Sequence, residues 1–203
     1  MKDQRGFSLI EMLVSMSIFA IVTGFVVANY RVGQQGDEVR IATQLVGSMV
    51  RRAQTSAIAG GEASWCVGGA NDGRVCVAGS GAGCPNGTCT RDIPRGFGVH
   101  FSVRPGEERK MVYFADTNGN RAYDDGEAVR TDSVSSGAYV DVVKVVPDKG
   151  GVLDIVFVPP KPTVSYNNDA TPDTEAVVTL RHRTTGLEKL VRINRLSGQV
   201  SVD

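Results

Sequence analysis

No charge of one sign predominates in this chain: 22 Lys and Arg stand against 22 Asp and Glu over 203 residues. That balance excludes a protein whose whole surface is built to hold nucleic acid or an acidic membrane. Histidine is nearly missing. The two present, His100 and His182, lie in runs that read as strands and belong to no nucleophile, acid/base or metal motif, so an enzyme is not expected. No glycine loop follows a strand and opens a helix as a phosphate cradle would; Gly68-Gly69 and Gly79 to Gly83 fall in a flexible stretch instead. Cysteine is absent outside Cys66, Cys76, Cys84 and Cys89. An even number confined to one segment fits disulfides in an oxidising compartment better than reduced thiols. With 24 glycines and 41% hydrophobic residues the chain is neither disordered nor collagen-like, and suits one globular domain with an appended segment.

The appended segment is N-terminal. From Met12 to Tyr30 there are 19 consecutive residues without a charge, and from Phe7 onward only Glu11 interrupts. As a helix rising about 1.5 Å per residue, this run is long enough for a ~30 Å hydrocarbon core. It could be a secretory signal with Lys2 and Arg5 as its basic region, cut after Ala28. It could equally be a plain anchor, or a signal cut on the near side of an apolar run that is kept. Glu11 separates these readings. A carboxylate inside an inserting segment costs roughly 2.5–3.5 kcal/mol on translocon scales, so it needs a partner or a function. In a chain beginning at Phe7 it would be the fifth residue, where the α-amino group of a neighbouring copy could neutralise it.

The string Arg5-Gly6-Phe7-Ser8-Leu9-Ile10-Glu11-Met12-Leu13 resembles the type IV prepilin signal. The resemblance implies cleavage after Gly6 by a membrane-embedded prepilin peptidase, N-methylation of the exposed Phe7, and an assembly role for Glu11. Loss of Lys2, Asp3 and Arg5 with the leader leaves 20 basic and 21 acidic residues. A basic leader held in the cytoplasm puts everything after Tyr30 outside, which agrees with the cysteine usage. The localisation expected is a bacterial inner membrane crossed once, with a periplasmic C-terminal domain that enters a periplasmic or surface filament.

Asp37 to about Ala59 reads as a second helical stretch, with Val39, Ala42, Leu45/Val46, Met49, Ala53 and Ala57 on one face. Gly33 and Gly36 mark a weak point between the stretches; the pilin-like design implied by the resemblance favours one long helix, closed by Gly60-Gly61. Residues 62–95 are rich in glycine and short of apolar material, so cross-links must hold them. Three disulfide pairings are possible. Locality alone suggests Cys66–Cys76 with Cys84–Cys89, and the spacing is poor for zinc. Asn86-Gly87-Thr88 reads as a turn rather than a glycosylation site. Beyond Arg95 the period changes to two or to short apolar runs: Phe97–Val103, Lys110–Phe114, Ala128–Asp132, Tyr139–Val146, Leu153–Val158, Ala176–His182, Glu188–Ile193 and Gln199–Val202. Pro159–Thr174 reads as an exposed loop. The fold class expected is α+β: a long N-terminal helix on a largely antiparallel sheet or two small sheets. The segments are a leader (1–6), a membrane or filament-core helix (7–30), an amphipathic continuation (31–61), a disulfide loop (62–95) and a β-rich domain (96–203).

Val112 to Asn120, then Asp124 to Arg130, resemble the GspH/FimT group of minor pseudopilins and minor pilins, in which a phenylalanine strand enters an Asp/Asn/Gly turn ending Gly-Glu. Leu153–Pro159 and Val191–Val200 look like that group's later strands and C-terminal hairpin. The resemblance implies a structural subunit of a type II secretion or type IV pilus filament, with other pilin-like subunits as partners. Asp116, Asn118, Asn120, Asp124 and Glu127 also fall at positions 1, 3, 5, 9 and 12 of a calcium-loop pattern, although Arg121 replaces its glycine. A hydrogen-bonded Asx turn is the alternative, and no cofactor other than calcium is suggested. Some members of the group take up DNA through a basic C-terminal region, and Arg181, Arg183, Lys189, Arg192 and Arg195 could form a phosphate-tracking stripe here. The terminal turn Ser197-Gly198-Gln199 lacks the flanking arginines of those members, and no aromatic interleaves to stack bases.

Overall fold

The computed structural model describes residues 8–77, 83–135, 140–159, 163–168 and 174–203. Helix α1 (Leu9–Ile58) is followed by β1 (Ala63–Val67), β2 (Thr88–Asp92), β3 (Gly96–Ser102), β4 (Lys110–Asp116), β5 (Ala128–Ser133), β6 (Val140–Val146), β7 (Val152–Val158), β8 (Thr163–Tyr166), β9 (Glu175–His182), β10 (Glu188–Asn194) and β11 (Val200–Val202). The chain divides into two compact units at Asp37/Glu38, and α1 contributes residues to both. The fold class is α+β with antiparallel strand pairing throughout the described ladders.

In the second unit the helix presents one apolar stripe. Val39, Ala42, Val46, Met49, Val50, Ala53 and Ala57 are buried, at the three- and four-residue steps that keep side chains on one helical face. Leu45 is left 37% exposed while Val46 is fully covered, because Val46 lies two turns from Val39 and Leu45 falls off that line. The helix stops where Gly60 takes a φ of 63° and the Gly61 N–H reaches the Ser56 carbonyl at 2.8 Å, a six-to-one bond that satisfies a last-turn acceptor.

Two sheets share the core with this stripe: β5-β4-β3-β7-β8 and β11-β10-β9-β6. Alternate residues point inward, as the two-residue period requires: Phe97, Val99 and Phe101 from β3, Leu153, Ile155 and Phe157 from β7, Ala176, Val178 and Leu180 from β9. Tyr113 fastens helix to sheet. Its ring stacks on Phe97 with centroids 5.7 Å apart, the Arg52 guanidinium lies over it at 5.3 Å, and its hydroxyl donates to Ser56 Oγ at 2.9 Å. Burial pushes the Tyr113 hydroxyl above its ordinary pKa.

The other face of the five-stranded sheet is also covered. Val112, Phe114 and Val156 are buried there, and Tyr123 from the β4–β5 loop packs on Phe114 and His100 at 5.4 and 4.8 Å. Gly98 is needed beneath Phe114, since a Cβ would sit 2.5 Å from the ring. The expected exposed loop at Pro159–Thr174 is corrected in part: Thr163–Tyr166 forms edge strand β8 with Val164, Ser165 and Tyr166 buried. A four-residue strand is too short to show a period, and the backbone partners on β7 supply what local pattern does not.

The Tyr166 hydroxyl donates to the Ile193 carbonyl at 2.8 Å and so joins the two sheets inside the core. Tyr166→Phe deprives a buried carbonyl of this donor, and a loss of about 1–3 kcal/mol is expected. Denaturant unfolding of the purified protein checks it, with an unchanged far-ultraviolet spectrum confirming that the fold is kept.

Candidate functional site

The first unit is a helix of sustained apolarity. Leu9–Val27 spans 19 residues at a mean hydropathy of 2.2, and none of it is buried by the described chain. Leu9, Phe19 and Phe25 are among its exposed side chains. Ser8 precedes the first helical residue, and its N–H donates to Glu11 Oε2 at 3.4 Å, the backward half of a capping box. The hydroxyls in the run are turned onto the helix itself: Ser15 donates to the Glu11 carbonyl at 2.7 Å and Ser17 to the Leu13 carbonyl at 2.9 Å. Polar groups satisfied in this way can enter an apolar medium at low cost. The processing pair Gly6 and Phe7 lies outside the described residues.

The cysteine segment pairs as Cys66–Cys84 and Cys76–Cys89. This corrects the local pairing expected above. The reason is a small hairpin that the glycine-rich composition hid: β1 pairs with β2 on one side, setting Cys66 opposite Cys89. On its other side β1 meets residues 74–76, with the Cys66 N–H on the Arg74 carbonyl, the Cys76 N–H on the Ser64 carbonyl, and a bridge from Trp65 to Val75. Three passes of chain lie side by side, and the sulfurs link across them rather than along the sequence. Asn86 has a φ of 60° in a turn closed by the Gly87 N–H on the Cys84 carbonyl.

This hairpin clasps the loop from Asp116 to Glu127. The Thr117 hydroxyl donates to the Gly73 carbonyl at 2.9 Å, and the Val75 N–H reaches the Gly126 carbonyl at 2.7 Å. Gly126, at a φ of 107°, has Arg74 where a Cβ would stand. Within the loop, Asp116 accepts the N–H groups of Gly119 and Arg121 at 2.6 and 3.1 Å. Asn118 and Asn120 accept the N–H groups of Asn120 and Ala122, and their amides both donate to Asp124 Oδ2. Glu127 accepts from the Thr117 N–H at 2.9 Å and from the Asp124 N–H at 3.3 Å, and its Oε1 lies 3.0 Å from the Thr117 hydroxyl, whose one hydrogen is shared between Glu127 and the Gly73 carbonyl. The oxygen donors would suit a hard cation, but the fold turns them onto the loop's own donors. These contacts are those of an Asx turn. Among the described residues the only three His, Cys, Asp or Glu donors within 4.8 Å of one another are those of Cys66, Cys76 and Cys84, all of them in disulfides. Between hairpin and loop lies a cleft of about 340 Å³ walled by Trp65, Arg74 and Thr117 and edged by Asp72, Asp124 and Asp125.

The basic residues near the C-terminus do not form one stripe. Arg181 pairs with Glu188, Arg183 with Asp141, and Arg192 with both Glu175 and Asp203. Lys189 points to the opposite side of its strand from Glu188 and lines a groove with Arg40 and Arg51; Arg195 lines a separate hollow with Arg121. Each histidine faces a carboxylate. His100 Nδ1 donates to Asp154 Oδ1 at 2.6 Å across the β3–β7 ladder, while Asp154 Oδ2 accepts the Tyr123 N–H at 3.2 Å. His182 is buried; its Nδ1 accepts from Thr184 and Thr185, which puts its proton on Nε2 facing Glu38 of α1 at 3.2 Å. Sequence reasoning missed Thr117, Tyr123, Arg74 and Asp154, whose contacts with Gly73, Asp154, Gly126 and His100 join separate parts of the chain.

Residues 1–27 match the family model described as the prokaryotic N-terminal methylation motif. Neither the curated proteins nor the solved structures gave a match.

Two outcomes follow from the clasp. Proteolysis without reduction, followed by mass spectrometry, is expected to yield peptides linked Cys66–Cys84 and Cys76–Cys89; a peptide holding Cys84–Cys89 alone would contradict the hairpin. Burial raises the pKa of both Asp116 and Glu127 against the opposing pull of their N–H donors. A raised carboxyl holds its proton more tightly folded than unfolded. Its contribution to stability is therefore complete below the ordinary value of about 4 and declines as the pH climbs through the raised value. The stability deficit of Glu127→Gln relative to the parent should be largest at acid pH and shrink above it, as melting temperatures across that range would show.

Proposed function

We propose that the chain, a type IV prepilin-like protein by its N-terminal methylation motif, is a minor pseudopilin or minor pilin. In this reading it is an inner-membrane subunit with a periplasmic domain, drawn into a type II secretion or type IV pilus filament. The motif implies processing by prepilin peptidase and assembly with other pilin-like subunits. The observation that carries the proposal is the join of that motif to Leu9–Val27, an apolar helix that nothing in the described chain covers. Such a surface is stable in lipid or against other helices, and burial there drives packing once the subunit leaves the membrane. Two disulfides suit the oxidising side of that membrane. The turn from Phe114 to Glu127 and the C-terminal strands favour the GspH/FimT kind.

The mechanism is assembly. Glu11 sits in the first turn of α1, its carboxylate against the Ser8 N–H. In a packed helix core the amine of a neighbour's Phe7 is the partner that offsets its charge, and a subunit inserted out of register leaves that charge buried and unpaired. His100 and His182, each tied to a carboxylate, have structural roles in this reading, and no catalysis is proposed. DNA uptake draws less support, because Arg181, Arg183 and Arg192 already face carboxylates.

Glu11→Ala is expected to leave leader cleavage intact and to reduce incorporation on the order of tenfold, read by co-purification with the other pilin-like subunits from native membranes. Normal incorporation would remove the register role. Replacing Gly6 with a bulky residue should leave the leader attached, visible in the intact mass.

A further inference from the structure

A groove of about 420 Å³ runs along the second unit, and cations line it. One wall is α1: Arg40, Gln44, Gly47 and Arg51 follow at four-, three- and four-residue steps and share one face. The other wall is the open edge of the four-stranded sheet, with Lys189 from β10 and Val202 from edge strand β11. Gly47 leaves the middle of the groove open, since a Cβ there would approach Val200 to 3.6 Å and Val202 to 3.8 Å. The Arg51 guanidinium is steadied by the Val200 carbonyl at 3.4 Å. Among the described residues that line the groove there is no carboxylate.

The same unit carries an exposed cluster of the opposite sign. Asp72, Asp124 and Asp125 edge the cleft where the disulfide hairpin grips the β4–β5 loop. This turn is preorganised: disulfides, the Thr117–Gly73 contact and two amides on Asp124 hold it without help from a ligand. Its root lies at the far end of α1, where the Arg95 N–H reaches the Asp116 carbonyl and Phe97 borders Gly61. The helix runs on from Arg51 to Ile58, about 10 Å of helical rise, before Gly61 is reached. Groove and turn are thus different places on one surface.

We propose that the groove lined by Arg51 and Lys189 receives the Asp124-Asp125 turn of a second copy of this chain. This deepens the filament reading and rests on it. A contact between two unlike patches leaves one of each unused on the end copies, so it propagates instead of closing. The charge pairs give it direction and specificity more than raw strength. A nucleic-acid backbone fits less well: the groove is short, no aromatic lines it, and the neighbouring Arg181, Arg183 and Arg192 are matched by Glu188, Asp141, Glu175 and Asp203.

The test uses the full chain in detergent, followed by sedimentation velocity at low and high salt. Concentration-dependent association at low salt is expected, weakened at least about tenfold by Lys189→Glu or by Asp125→Lys, as like charges then face each other. The double variant, which restores opposite charges with exchanged places, should recover association, and all variants should keep the parent melting temperature. Single variants that associate like the parent, or a double variant no better than either single, would overturn the inference. So would duplex DNA binding by the parent that Lys189→Glu abolishes, which assigns the groove to phosphate. If the charge variants enter filaments normally while Glu11→Ala does not, the filament reading stands and the groove contact falls.

Discussion

The fold of the second unit depends on the stripe of α1 from Val39 to Ala57. Its small members, Ala42, Ala53 and Ala57, allow the sheets to approach the helix closely, while Val46, Met49 and Val50 fill the space between two sheets that would otherwise have no common core. Polar contacts then fix the helix against sliding. Glu38 meets His182 on β9, Arg51 meets the Val200 carbonyl on β11, and Ser56 meets Tyr113 on β4. The three sit at successive levels along the helix and on strands of both sheets. A shift of one residue would break all of them together and turn the apolar stripe toward water.

The cysteine hairpin has no apolar core of its own. It gains rigidity from two crossed disulfides and from the β4–β5 loop, to which Thr117, Gly73, Val75 and Gly126 sew it. The dependence runs both ways. Glu127 is buried among donors from Thr117 and Asp124, so the charged loop keeps its shape only while those amides point inward. The outcome is a firm, acidic, solvent-facing turn rooted beyond the C-terminal end of α1, apart from the basic groove between α1 and the β10–β11 edge.

Sequence pattern and structure agree best where the signal is periodic. The runs at Lys110 and Leu153 are legible as strands because they are short, almost wholly apolar and bounded by turn residues, and the helix face around Val39 is legible because small apolar residues recur on one side. Pattern fails in β1, β2 and β8, which are short, poor in apolar residues or set among glycines and prolines. It also fails for cysteine pairing: local spacing favours neighbours in sequence, whereas the hairpin lays three passes of chain together and joins them crosswise.

The sequence by itself determined the N-terminal methylation motif over residues 1–27, the charge-free run from Met12 to Tyr30 and the helix-then-strand order, since each is written in contiguous residues. Only the tertiary structure decided which sulfurs join, that Asp116 and Glu127 turn onto loop amides, that Arg181, Arg183 and Arg192 are matched by carboxylates, and that Arg51 and Lys189 face one groove. Those partners come from separate strands and turns, and what brings them together is ladder register and burial, which no local spacing of residues encodes.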